Sequence, residues 1–416
     1  MDPLSTVGGV LHLEGVPLPY VAAAVGTPTY LYARTAIRDR ARRFAAAVAP
    51  ARCHFAAKAN SNGAVLSTLA GEGFGADVVS GGELTRALAA GIAAADIVFS
   101  GVGKTTAELV QAIDVAVGCV NLESEEEGVE LAALAEASGR SVRAALRVNP
   151  DVGGGGHAKI TTGSGHTKFG VPFDDAAAIF VRLAARPGLL LDGLAVHIGS
   201  QLLDLEPFER AFERMGTLLR DLRSGGQVVT SVDLGGGLGV ASEGRRPPSF
   251  DAYAAMLARV TGGWDVALSL EPGRCLVADA GVLLARVVRV KRGADRPFVI
   301  LDAGMNDLLR PALYDAAHEV RAVVPRPGEW EAAIVGPVCE TGDLFRSAAT
   351  VTPLVAGDLV VIEQAGAYGA AMASTYNSRP LPAEVMVEGD RWAVVRERGT
   401  AADLTRGERA WGEGRT

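Results

Sequence analysis

"CHFAAKANSNGAVLSTLAGEGFGADVVSGGELTRALAAG", residues 53–91, holds two short apolar runs, CHFAAK and ADVVS, each closed by a turn. An alanine-rich segment with apolar residues at helical spacing, GGELTRALAAG, follows the second. The alternation continues outward to about residue 280. Further strand candidates are DIVFSG (96–101), GCVNLE (118–123), RAALRVN (143–149), LDGLAVHIG (191–199), SVDLGGG (231–237) and VALSLEPG (266–273). Eight β–α units in series predict a (β/α)8 TIM-like barrel in preference to an open doubly wound sheet. A helix over 35–48 leads into the first strand.

After Asp279 the pattern changes. GVLLARVVRVKR, PFVILDAG, EAAIVGP, DLVVIEQAG, AEVMVEG and RWAVVRER read as strands separated by turns with little helix between them. The α/β class is therefore expected in two domains. A barrel spans residues 34–280, and an antiparallel β domain combines 281–416 with 1–33 through the N-terminal strand PTYLY (28–32). The glycine-rich loop 151–170 is longer than a barrel connection requires, which predicts a functional role.

Composition limits the function classes. A net charge of −8 in 416 residues argues against nucleic-acid and anionic-membrane partners. No basic-then-apolar leader opens the chain, and no apolar run reaches the roughly 18–20 residues that span a bilayer. Cys53, Cys119, Cys275 and Cys339 are scattered without a CxxC pair. That predicts no disulfide framework, no metal site and a cytoplasmic setting.

Barrels of this kind do chemistry at the C-terminal ends of their strands. Here those ends carry Lys58, Ser80, Ser100, Glu123, Arg147, His197, Gly235–Gly237, Glu271 and Arg274. A lysine at the mouth of a core strand is costly as an unpaired charge, but tolerable if its amine condenses with an aldehyde. Three consecutive glycines bring backbone N–H groups close to a phosphate. An imidazole can stack on an aromatic ring, and an acid after VALSL can hold a proton on a pyridine nitrogen. Together these groups describe a pocket for pyridoxal 5'-phosphate. The bland alternatives are a snorkelling lysine, a glycine turn, a core histidine and an ion-paired glutamate.

FAAKANSN, DVVSGGEL, FSGVGKT, LRVNPDV, KFG, HIGSQ, DLGGGLG, EPGR, DAGMNDLLRPALYDAAH, GPVCETGDLF and GAYGAAMASTYNSRP closely resemble the bacterial diaminopimelate decarboxylases. These are pyridoxal-phosphate enzymes with an alanine-racemase-like barrel and a C-terminal β domain. The resemblance runs from about Thr27 to Arg398. It implies decarboxylation of meso-2,6-diaminopimelate to L-lysine and carbon dioxide, the last step of lysine biosynthesis. Carried over by position, Lys58 resembles the Schiff-base lysine, His197 the ring-stacking histidine, Gly235, Gly236 and Gly237 the phosphate loop, and Glu271 the ring-nitrogen partner. Ser200, Gly273, Arg274 and Tyr368 match cofactor-binding positions. Arg274, Arg310, Tyr314, Glu340 and Tyr368 match substrate-binding positions. Cys339 matches the proton donor, which in the family reaches into a neighbouring subunit, so a homodimer with shared active sites is implied.

Charge agrees with that substrate. The unreacted end of diaminopimelate carries a carboxylate, suited to the planar forks of Arg274 and Arg310, and an ammonium, suited to Glu340. A racemase on this barrel places arginine opposite the ring nitrogen, where this chain has Glu271. Three places depart from the family pattern: the glycine-rich 153–167 loop, Gln364 where an acid is expected, and Thr341 for the usual serine. They leave open an alternative, a related decarboxylase acting on another amino acid, free or carrier-tethered, in a biosynthetic cluster.

Overall fold

The structure is a computed structural model that describes residues 2–153, 163 and 167–411. The expectation placed on the 151–170 loop falls mostly on residues 154–162 and 164–166, which lie outside the described residues. The chain forms two compact units, Ile37–Val277 and the combination of Met1–Ala36 with Ala278–Thr416.

The contiguous unit is the expected barrel. Its strands are β1 (Arg52–Ala56), β2 (Gly75–Val78), β3 (Ile97–Phe99), β4 (Cys119–Leu122), β5 (Val142–Asn149), β6 (Leu189–Ala195), β7 (Ser231–Asp233) and β8 (Ala267–Leu270). Each pairs in parallel with the next. β8 closes the ring on β1 through Ser269↔Arg52 and Leu270↔Cys53. The strand CHFAAK ends earlier than its sequence suggests: Lys58 lies just past β1, in a 3-10 turn over Ala57–Ala59. The backbone there has left the ladder, and the side chain reaches the buried carboxylate of Asp77 on the neighbouring strand.

The outer helices start where short polar side chains cap them. Ser80 Oγ accepts from Glu83 N, and Thr105 with Glu108 forms a reciprocal capping box. Ser80, grouped with the rim residues by sequence, thus serves the helix Gly81–Ala89. Helix Glu206–Ser224 buries Phe208, Ala211, Phe212, Met215, Leu219 and Leu222, a stripe at three- and four-residue spacing that covers the barrel.

In the second unit the long strand Gly281–Lys291 pairs antiparallel with Thr29–Ala33, Phe298–Leu301 and Leu359–Ile362. Two pairings depart from a purely antiparallel domain. Thr29–Ala33 runs parallel to Ala383–Glu388, and Phe298–Leu301 runs parallel to Trp330–Val335. A parallel neighbour needs a long crossover. In the first case the whole barrel lies within it; in the second it contains the helix Arg310–Tyr314. The unit also holds strands that the sequence reading did not include: Leu4–Val7, Val10–Leu13, Val16–Pro17, Val320–Ala322 and Leu344–Val351. Among the described residues no helix is long and apolar enough to cross a membrane.

Candidate active site

At the C-terminal ends of the barrel strands lies a cavity of about 390 Å³ lined by Lys58, Ser100, Arg147, His197, Asp233 and Glu271, among others. That is within the range of roughly 300–1,000 Å³ common for small-molecule sites. Lys58 Nζ donates to Asp77 Oδ2 at 2.6 Å, and Asp77 is fully buried. Glu271, 6 % exposed, accepts from Ser100 Oγ at 3.5 Å, and Ser100 Oγ in turn accepts from Asn121 Nδ2 at 3.0 Å. Asp233 stands within hydrogen-bonding reach of Glu271 once one of the two is protonated. Burial, with the neighbouring carboxylates adding to it, holds Glu271 well above the usual carboxylate range and raises Asp233 as well. Burial thus favours the protonated form of this carboxyl pair on the cavity floor.

His197 forms one wall. Burial, and then the charges of Lys58 and Arg147, push its imidazole far below its ordinary value, so the ring is neutral. Its Nδ1 accepts from Gly236 N at 3.1 Å, which fixes both tautomer and ring plane. The rim above is braced by Glu123, whose carboxylate takes Arg147 Nη1 at 2.5 Å, Gly101 N at 3.2 Å and Gly170 N at 2.9 Å.

Gly235–Gly237, Ser200, Gly273 and Arg274 stand beside this cavity rather than in its lining. Gly237 has φ +120°, a conformation few side chains adopt, and a Cβ there would meet Gly199 O at 2.6 Å. The turn can therefore approach the HIGSQ segment closely. Arg274 is buried and donates to Ser200 Oγ at 3.1 Å. Gly273 lets its segment close on β1, since a Cβ would meet Ala56 and Ala59 at 3.1 and 3.2 Å.

The remaining sequence-predicted residues sit in the other unit. Arg310 opens the helix Arg310–Tyr314, and Tyr314 ends it. His318 Nδ1 lies 2.7 Å from Glu363 O, so with the proton on Nδ1 its Nε2 accepts from Arg310 Nη1 at 3.1 Å. Cys339 is exposed, and its backbone N donates to Asn377 Oδ1 at 3.2 Å. Glu340 accepts from Tyr376 Oη. Buried Asp343 draws the Cys339 loop inward, taking Val338 N and Met305 N, both at 2.6 Å. Tyr368 holds a left-handed φ of 55°, unusual for a bulky residue. Gln364 donates to Asp279 Oδ1 at 2.9 Å, where an acid would meet a second carboxylate.

Sequence reasoning missed Asp77, Asp233, Asn121, His318, Asp343 and Tyr376. Asp77 and Asn121 are each the one polar side chain in a short apolar strand, a mark of something unusual that does not say which way the side chain points. The cavity's chemistry fits pyridoxal phosphate: an amine at the rim, a neutral imidazole on one wall and a buried acid on the floor. The barrel belongs with known proteins of that kind. Residues 34–278 match the family model for the pyridoxal-dependent decarboxylase, pyridoxal binding domain. The chain is 49% identical over 415 residues to a diaminopimelate decarboxylase of Zymomonas mobilis, covering 98% of this chain and 99% of that one. It superposes on the crystal structure of diaminopimelate decarboxylase from Helicobacter pylori complexed with L-lysine with a TM-score of 0.90 at 38% identity, covering 93% of this chain and 98% of that one. For the M. jannaschii enzyme in co-complex with L-lysine the TM-score is 0.94 at 31% identity, covering 98% of both chains. With cavity, barrel and near full-length likeness in agreement, this chain belongs to the diaminopimelate decarboxylase family of pyridoxal-dependent decarboxylases.

Proposed function

We propose that this chain converts meso-2,6-diaminopimelate to L-lysine and carbon dioxide, the last step of lysine biosynthesis, as a pyridoxal-phosphate-dependent carboxy-lyase. The observation that carries the reading is Glu271 on the cavity floor below Lys58, an acid where a racemase needs arginine. When bound, the cofactor supplies a cationic conjugated ring that accepts the electron pair left as a carboxylate departs. Lys58 would hold it through its amine, His197 would cover one ring face, and Glu271 would keep a proton at the ring nitrogen. Gly235–Gly237, Ser200, Gly273, Arg274 and Tyr368 would hold the phosphate.

The chain's other residues select and finish. Arg310, oriented by His318, pairs with the carboxylate of the unreacted end together with Arg274. Tyr314 adds a hydroxyl, and Glu340 meets the ammonium. Loss of one carboxylate as carbon dioxide requires one proton at the same carbon. Cys339 gives it, its S–H bond breaking as the C–H bond forms, and the thiolate regains a proton from solvent. The exposure of Cys339 supports delivery into the barrel of a second copy, hence a homodimer, acting in the cytoplasm. The test is to incubate purified protein and cofactor separately with meso-diaminopimelate, ornithine, lysine and arginine. Carbon dioxide is expected from the first alone; release from ornithine or lysine in its place would overturn the substrate.

A further inference from the structure

Barrel interiors of this architecture are ordinarily filled by layers of branched apolar side chains. Along this axis stand His54 on β1, Asn121 on β4 and Asp233 on β7. Beneath the cofactor cavity a second cavity of about 220 Å³ opens at the N-terminal ends of the strands. Its lining includes His54, Cys119, Asn121, Ser231, Asp233 and Ser269. Asn121 and Asp233 line both cavities, so they form the partition between them.

The partition is polar and buried. His54 is 8 % exposed, Asn121 3 % and Asp233 6 %. His54 Nδ1, Asn121 Oδ1 and, apart from a proton shared with Glu271, Asp233 Oδ2 have no hydrogen-bond partner among the described residues. Groups desolvated in this way lose their hydration unless water accompanies them. A volume of this size holds roughly seven waters at about 30 Å³ each, with polar partners to bind them.

We propose that a column of ordered water fills the lower cavity and joins solvent at the N-terminal mouth of the barrel to the Asp233–Glu271 carboxyl pair. The proton of that pair then exchanges with solvent from the side of the barrel opposite the substrate. In each exchange one proton leaves the pair for the nearest water and one returns along the column, so the charge of the floor is unchanged. Asn121 Nδ2 and Ser100 Oγ extend the chain to Glu271 Oε1 on the upper side. The water sites stand on geometry alone; their bearing on the ring nitrogen rests on the reading of Glu271 given above.

Two measurements test this. A crystal structure of the cofactor-loaded protein should show waters bonded to His54 Nδ1, Asn121 Oδ1 and Asp233 Oδ2 in line with the mouth; a cavity closed by side chains overturns the proposal. Infrared spectroscopy of the same protein mixed into D2O follows exchange at the protonated carboxyl. Ser269 lines the lower cavity and stands opposite Asp233 in the register of β7 and β8, so Ser269→Leu plugs the column. It should slow exchange by about tenfold or more, while Ser269→Ala should not. Equal rates in Ser269→Leu and the native chain refute the route. If Ser269→Leu does not fold, the crystallographic result decides. Visible cofactor absorbance persisting in Lys58→Ala would sink the reading of the upper site and leave the water column standing.

Discussion

Lys58 has a partner in the protein itself. Its ammonium lies 2.6 Å from Asp77, whose side chain is wholly buried, so the pair holds the amine at the rim before any cofactor arrives. Lys58→Ala should abolish the visible absorbance of the cofactor-loaded protein. It should also destabilise the apoprotein by about 3 kcal/mol, the lower end for breaking a buried pair, read as a lower Tm. Retained absorbance would refute the assignment of Lys58. At this scale the rim was legible in the sequence, because Lys58, His197 and Glu271 each follow an apolar run and precede a turn. Asp77 and Asp233 were not. One acid inside a strand says nothing of direction until the register is known, and in the barrel Asp77 stands opposite Ala56 and Asp233 opposite Ser269.

Among elements, the loop between strands Trp330–Val335 and Leu344–Val351 depends most on one side chain. Asp343 accepts two backbone N–H groups, and Gly336 packs so closely that a Cβ would meet its carboxylate at 2.3 Å. A hydrogen bond to a charged group contributes about 1.5–3 kcal/mol. Asp343→Ala should therefore release the Cys339–Glu340 segment and lower turnover by roughly ten- to a hundredfold. Cofactor absorbance should be retained, and Asp343→Asn should restore part of the loss. Unchanged turnover would show that the loop holds its place without this carboxylate. Elements were read best where both faces are buried. Thr29–Ala33, buried throughout, was read as the strand PTYLY at 28–32. Leu344–Val351 pairs with one neighbouring strand and carries Arg346 and Ser347, so its pattern is broken. The strands near the N-terminus are of four residues or fewer, too short for a period.

For the whole molecule, the sequence reached a dimer through family resemblance alone, since no run of residues announces a twofold interface. The assembly has a direct test. If the proposed homodimer shares its sites, Lys58→Ala and Cys339→Ala each remove one contribution to every site, so each variant alone should be nearly inactive. Mixing equal amounts under conditions that exchange subunits should restore roughly a quarter of native activity, because half the dimers are mixed and each has one intact site. No recovery, with exchange verified by a size-tagged subunit, would place Lys58 and Cys339 in the same protomer's site.

The insertion of Thr29–Ala33 between Gly281–Lys291 and Ala383–Glu388 constrains the order of biosynthesis. The ribosome makes that strand before either neighbour, and its parallel neighbour emerges some 350 residues afterwards, a delay of roughly 20 to 70 s at ordinary elongation rates. The contiguous barrel can close during that delay, whereas the sheet awaits the strand Ala383–Glu388. A message truncated before residue 383 would therefore yield a chain with a closed barrel and an orphaned leading strand, exposed to the chaperones and proteases that police nascent polypeptides.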